Sequence, residues 1–189
     1  NKKIVEDINS TGGKAMGFAG NQNNLITAKK LEMAVKDSDS NIEKILDLGF
    51  VGEPISINSS FINDNIVKGI IPVIAPLGRD EKGNTYNINA DTAAGAIAGA
   101  LKASKLLLLT DIAGILDENK KLISSLSYEE AKKIISKDFI LGGMKPKIAT
   151  CIKAISQGVK QATILDGRIP HALILELFTE HGIGTQIYS

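Results

Sequence analysis

One apolar run restricts this chain more than any other feature. Residues 70–75 read Ile-Ile-Pro-Val-Ile-Ala, with no polar residue at alternate positions. A strand wetted on one face alternates apolar and polar side chains, whereas an unbroken apolar run suits a parallel strand covered on both faces. Parallel strands need crossover connections, so helices are expected between them.

The remaining pattern supplies those helices. Residues 2–8 read as a helix that stops at Gly12-Gly13, and 15–19 and 25–28 read as short strands around the polar turn Asn21-Gln22-Asn23-Asn24. Residues 36–41 are polar and suit a hairpin tip. From Asn58, which with Ser59 is a candidate N-cap, the apolar residues Phe61, Ile62, Ile66 and Val67 recur at helical spacing. After the strand at 70–75 come a helix over 92–102, a strand over 105–110 and helices over 128–136 and 146–157. A strand over 162–165, a helix over 170–178 and a strand over 184–188 complete the alternation. We therefore expect an α/β fold, a three-layer αβα sandwich with a mostly parallel central sheet. Ligands of such sheets bind beyond the carboxyl ends of the strands.

Composition narrows the class. At 189 residues and 43% hydrophobic, the chain can bury one substantial core, so one compact unit is expected. With 22 Lys and Arg against 21 Asp and Glu, no net field draws it to nucleic acid or an anionic membrane. A lone cysteine, Cys151, leaves no internal disulfide, and no Cys and His cluster has metal-ligand spacing. The apolar stretches 69–77 and 106–109 are far shorter than the roughly 20 residues that span a bilayer. A cytoplasmic setting is the expectation. The chain opens at Asn1 on what reads as a helix already in progress, so we expect it to be part of a longer product.

Candidate sites follow from the strand ends. Asn87, Asn89 and Asp91 are small polar groups at alternate positions entering the helix at 92–102, placed to orient a substrate or simply to cap the helix. Thr110 and Asp111 follow an apolar strand and precede Gly114, so this loop is either a nucleotide-lining segment or a plain turn. Neither GxxxxGK[ST] nor GxGxxG occurs. Gly142-Gly143-Met144-Lys145-Pro146-Lys147 enters an amphipathic helix marked by Ile148, Ile152 and Ile155. There, open backbone and a cation at a helix start favour phosphate, unless Lys147 is only a solvated lysine. Asp166-Gly167-Arg168 ends another strand, where Arg168 either meets phosphate or pairs with Asp166. His171 and His181 have no partner spacing and read as structural or surface residues. Glu176, an acid among Leu173, Leu175, Leu177 and Phe178, calls for a cationic partner if it is buried.

In order, Tyr86 to Asp91, Leu109 to Gly114, Gly142-Gly143-Met144, Pro146-Lys147 and Ile164 to Arg168 resemble the motifs of the acetylglutamate kinases, within the amino acid kinase family. The ending, with His171-Ala172-Leu173, Glu176 to Thr179 and Gly182 to Thr185, is similar to that of their arginine-inhibited members. The resemblance implies ATP-dependent phosphorylation of the side-chain carboxylate of N-acetyl-L-glutamate, in arginine biosynthesis, with ATP carried by Mg²⁺. The other readings are a different kinase of the same family and a noncatalytic module sensing ATP or arginine.

By the same resemblance, Asn87 binds acetylglutamate, Asp91 organises the catalytic lysines and Lys147 stabilises the transferring phosphoryl group. Asp111, Ile112, Ala113, Gly114, Ile115, Leu116, Phe139, Ile140 and Leu141 line the nucleotide site, and Glu176 and Gly182 hold arginine as feedback inhibitor. It also implies a single partial domain over 1–189, with 1–89 in the acceptor lobe and 90–189 in the nucleotide lobe, and a homo-oligomer when full length. The family's two Gly-rich loops are expected upstream of Asn1, so residues 1–189 alone are expected not to turn over. Two departures stand out: the Asn21 to Asn24 turn replaces a KDG-like turn, and Lys145 replaces an apolar residue.

Overall fold

The first helix, α1 (Lys2–Ser10), stops where the sequence says it should. Gly12 takes a left-handed φ of +90°, its N–H reaches the Asn9 carbonyl, and the Gly13 N–H reaches back to Ile8 at 3.0 Å. These two bonds satisfy carbonyls that a helix end otherwise leaves unpaired. The computed structural model describes residues 1–36, 43–140, 142–180 and 182–189, with backbone only for 33–36 and 43–46.

The chain divides into two compact units, Asn1–Ala96 and Ile97–Ser189, where composition suggested one. The reason lies in the strand pairing, which closes within each unit. In the first, β1 (Ala15–Ala19) is followed by β2 (Ile26–Lys36), β3 (Glu43–Ile57), α2 (Ser59–Val67), β4 (Ile71–Ala75), β5 (Leu77–Arg79) and β6 (Thr85–Ile88). β1 and β4 pair in parallel from Ala15↔Ile71 to Ala19↔Ala75. The parallel pairing expected of the 70–75 run is therefore present, but complete coverage is not. α2 packs on β4, yet Ile71 remains 47% exposed and the rest of the strand is half-buried.

β2, β3, β6 and β5 form a closed barrel around Leu25, Ile26, Ala28, Tyr86 and Ile88, all buried. The strand read at 25–28 runs on to Lys36 and pairs antiparallel with β3, which sequence patterning missed. Register shifts between Thr27 and Ala28 and between Lys30 and Glu32 explain the miss. The first places one extra residue on β3 and the second three, so the period-2 signal of β3 breaks although the strand continues. The proposed tip at 36–41 begins on the last residue of β2, and 37–41 fall outside the described residues. Asn58 caps α2 by accepting the Phe61 N–H at 3.2 Å, as its sequence position predicts.

The unit boundary falls within α3 (Ala90–Leu101), rather than just ahead of it. The second unit contains β7 (Lys105–Thr110), β8 (Ser125–Ser127), α4 (Tyr128–Ile134), α5 (Met144–Ser156), β9 (Gln161–Asp166), α6 (Ala172–Phe178) and β10 (Thr185–Tyr188). Its sheet has the order β7-β9-β10-β8, with β7 and β9 parallel over six residue pairs and β10 antiparallel to β9. α4 opens with a capping box: Ser127 accepts the Glu130 N–H while the Glu130 carboxylate accepts the Ser127 N–H at 2.7 Å.

Helix α5 begins two residues earlier than the proline suggests, and Pro146 lies within its first turn, where a missing N–H costs nothing. Its buried stripe is Met144, Ile148, Cys151 and Ile155, spaced at three to four residues and laid against β9. Ile148 is fully buried. Ile148→Ala should destabilise the protein by about 2–5 kcal/mol, because the helix is held by β9 and cannot collapse into the void. Urea unfolding followed by circular dichroism measures this.

Candidate active site

In the second unit, chemistry gathers at the carboxyl ends of β7 and β9. Their register sets Thr110 beside Asp166, and the Gly167 N–H donates to the Thr110 carbonyl at 2.8 Å. Asp111 follows Thr110 and accepts its hydroxyl at 3.2 Å. Arg168 donates from Nε and Nη2 to the two oxygens of Asp166, at 3.0 and 2.8 Å, and its backbone N–H adds a third bond at 2.9 Å. Of the two readings open for Arg168, the bidentate pair with Asp166 is the one observed. The Arg168 guanidinium and N–H hold the Asp166 carboxyl down at about 2, since they stabilise its charged form.

Past Asp111 the chain forms an arm. The Ile123 N–H donates to the Ile115 carbonyl at 2.9 Å, Leu116 bridges Leu122, and Asp117 closes the tip by accepting the Asn119 and Lys121 N–H groups at 2.8 Å. Gly114 sits at φ +151°, and a Cβ there would stand 2.6 Å from the Thr185 hydroxyl, so only glycine fits without a shift.

The arm forms one wall of a cavity of about 260 Å³. Ile112, Gly114, Leu116, Phe139 and Ile140, all anticipated for the nucleotide site, line it together. Asp111, Ala113 and Ile115 do not; Ile115 is fully buried behind the wall, where its N–H meets Thr185. Leu141 lies outside the described residues. Asp117, Glu118, Lys120 and Met144 complete the lining and were not anticipated. A polar turn directly after Leu116 was the available signal for the first three, and Met144 was hidden within its glycine motif.

An apolar slot with a charged rim can take a flat heterocycle and leave polar substituents toward water. Met144 is the first residue of α5, and Lys147 lies one turn further on, half-buried and engaged in an interaction. A Cβ at Gly142 or Gly143 would meet nothing within 4 Å, so the approach to this helix start is open backbone.

Glu176 is buried, and among the described residues its hydrogen-bond partners are backbone amides. Its Oε2 accepts the Ile183 N–H at 2.9 Å and the Gly184 N–H at 3.3 Å. The chain after α6 folds back over the carboxylate, and Gly182, at φ +59°, makes that turn against it. Leu173, Ile174, Leu177 and Phe178 are exposed instead, so α6 turns its acid inward. His171 is exposed ahead of α6, and His181 lies outside the described residues.

In the first unit, the Asn89 Oδ1 accepts the Thr92 N–H at 3.1 Å and so caps α3. Asp91 lies within the first turn, half-buried and engaged, where the helix dipole favours an anion. Asn87 projects from β6 to the exposed side, between buried Tyr86 and Ile88. Of the two readings open for this segment, the cap is observed at Asn89.

Residues 1–166 match the model of the amino acid kinase family. The chain belongs to the amino acid kinase family. The acetylglutamate kinase of Afipia carboxidovorans is 54% identical over 188 residues, covering 100% of this chain and 64% of that protein. That of Rhodospirillum centenum is 55% identical over 187 residues, covering 99% of this chain and 61% of its own length. The chain thus spans about 61–64% of these curated relatives. Among solved structures, N-acetylglutamate synthase from Neisseria gonorrhoeae, complexed with coenzyme A and L-arginine, superposes with a TM-score of 0.76 at 27% identity, over 93% of this chain and 38% of that one. Carbamate kinase from Giardia lamblia, at 14% identity and a TM-score of 0.66, shares the fold, over 99% of this chain and 70% of its own.

Among the described residues no helix is long and apolar enough to cross a membrane. The strongest electrostatic feature gives a pH test. Asp166 has its pKa depressed from 3.8 to about 2, so its contribution to stability is complete above 3.8 and is lost as pH falls toward 2. Asp166→Asn should therefore have a lower Tm at neutral pH and a shallower fall in Tm between pH 4 and 2. Calorimetry across that window checks both.

Proposed function

We propose that the chain serves an ATP-dependent acetylglutamate kinase, which transfers the γ-phosphoryl group of ATP to the side-chain carboxylate of N-acetyl-L-glutamate. The observation that carries this reading is 54–55% identity to acetylglutamate kinases over 99–100% of the chain. The nucleotide cavity of the second unit supports it, because five residues anticipated for ATP converge on one slot.

The chemistry asks little covalent help of the protein. A carboxylate oxygen, already ionised at neutral pH, attacks the γ-phosphorus; the bond to the β-phosphate oxygen breaks, and ADP leaves with that electron pair. Charge spreads over the moving phosphoryl group, so cations and N–H donors placed there lower the barrier. Lys147 would supply the cation beside the open start of α5, Asn87 would hold acetylglutamate, and Asp91 would hold catalytic lysines in place. Asp111 and Ala113 would join the same nucleotide-binding segment as the cavity residues, and Leu141 is assigned to the nucleotide by the family resemblance alone.

Mg²⁺ keeps waters and binds through phosphate oxygens, so it would be held chiefly by the nucleotide. Among the described residues no three His, Cys, Asp or Glu groups converge on one point. The enzyme would act in the cytoplasm, as a homo-oligomer.

Arginine is the proposed feedback inhibitor. A guanidinium matches a carboxylate bidentately, and Glu176, beside Gly182, is a buried carboxylate whose Oε2 accepts the Ile183 and Gly184 amides. The arginine present with the Neisseria gonorrhoeae synthase supports this reading.

In the complete protein, Lys147→Ala should lower kcat roughly a hundredfold or more while ATP affinity changes far less, because the lost charge acts mainly in the transition state. Steady-state kinetics with acetylglutamate decide this; wild-type kcat with only a raised KM would misplace the reaction centre. Glu176→Gln keeps an acceptor for the two amides but removes the charge, so it should weaken inhibition by arginine and leave uninhibited kcat nearly intact. Arginine titration of both proteins at fixed substrate is the measurement, and coincident curves would remove Glu176 from the role.

A further inference from the structure

We infer that Thr185 is a positioning residue for the nucleotide cavity: its buried hydroxyl fixes the arm that forms one cavity wall. The inference rests on the nucleotide reading of that cavity and adds a residue to it.

Thr185 is fully buried at the start of β10. A hydroxyl there must be paired, and this one is paired twice. It accepts the Ile115 N–H at 2.8 Å and donates to the Ile123 carbonyl at 2.6 Å. Ile115 and Ile123 face each other across the base of the arm, joined by their own backbone bond. One side chain, 70 residues along the sequence from Ile115, therefore clamps both edges of the arm.

The clamp is also steric. The site of a missing Cβ on Gly114 lies 2.6 Å from the Thr185 hydroxyl and 3.0 Å from its backbone nitrogen, so arm and strand are in direct contact. A further backbone bond, from the Gln186 N–H to the Ser124 carbonyl at 3.0 Å, continues the docking. Gly114, Leu116, Asp117, Glu118 and Lys120 all reach the cavity from this arm, so its position sets the width of the slot.

The other end of Thr185 is set by Glu176. That carboxylate accepts the N–H groups of Ile183 and Gly184, the two residues immediately before Thr185. A buried acid on α6 thus holds the backbone that carries the hydroxyl, and the hydroxyl holds the arm. The amides and the hydroxyl form one connected path within the second unit.

Thr185→Val preserves branching and volume but can neither accept the Ile115 N–H nor donate to Ile123. Calorimetric titration of ATP with Mg²⁺ into the complete protein, well below the Tm of every variant, reads the effect. The valine variant should bind ATP about tenfold more weakly, as an unpaired amide shifts the arm, while its affinity for acetylglutamate is unchanged. Hydrogen exchange at the Ile115 amide should accelerate in the same variant. Thr185→Ser, which keeps the hydroxyl, should restore ATP affinity and slow exchange.

Ile187→Val, a buried change two residues along β10, controls for loss of stability alone. A Thr185→Val protein with a lowered Tm and parental ATP affinity would overturn the inference, as would equal weakening by Ile187→Val. If Thr185→Val does not fold, Thr185→Cys, with its weaker hydrogen-bonding thiol, takes its place, and parental ATP affinity there overturns the inference equally. No ATP uptake by the parent would instead overturn the nucleotide reading itself, and this inference with it.

Discussion

The parallel ladder between β7 and β9 is the constraint on which the second unit depends. Parallel neighbours cannot be joined by a tight hairpin, so the chain must leave the sheet, cross over it and return. The crossover here includes β8, α4 and α5, and the buried stripe of α5 lies on β9. Because both strands run the same way, their ends coincide, and Asp111 and Asp166 emerge at one edge. The arm that walls the cavity leaves the sheet from that edge, directly after Asp111.

The first unit solves a different problem. Its β1 and β4 are parallel, but most of its strand residues belong to a small closed barrel of bulged antiparallel and short parallel pairings. Closure removes exposed strand edges without a large core. The cross-strand pairs Lys29–Glu53 and Lys30–Asp47, at 2.9 and 2.7 Å, lie on its exposed surface, where such pairs contribute little. Burial of Ile26, Tyr86 and Ile88 inside is what holds it.

Acidic groups at the strand and helix ends of the second unit are satisfied in two ways. Asp166 is met by a guanidinium and an amide from its own turn, a local solution that neighbouring residues can provide. Glu176 is met by amides seven and eight residues ahead, which requires the chain to double back. Thr185 goes further, joining segments separated by 70 and 62 residues. The wider the separation in sequence, the less any local pattern reveals the contact.

That gradient divides what was legible from what was not. Strand 105–110, helix α2 with its Asn58 cap, and strand 15–19 could be read directly, because hydrophobic period and capping chemistry act within a few residues. The glycine motif before Lys147 and the loop at 111–116 were visible for the same reason. The long β2–β3 pair was not, since two register shifts interrupt its alternation, and neither were Asp117, Glu118 and Lys120 as cavity residues, since exposed polar turns look alike. By itself the sequence determined the class, the alternation of strands and helices from residue 70 onward and the family motifs, all of which depend on neighbours along the chain. Tertiary structure alone decided that Glu176 faces inward onto amides, that Ile115 leaves the cavity wall, and that Thr185 clamps the arm. Those outcomes depend on which distant backbone donors reach a buried oxygen first, and no local spacing encodes that.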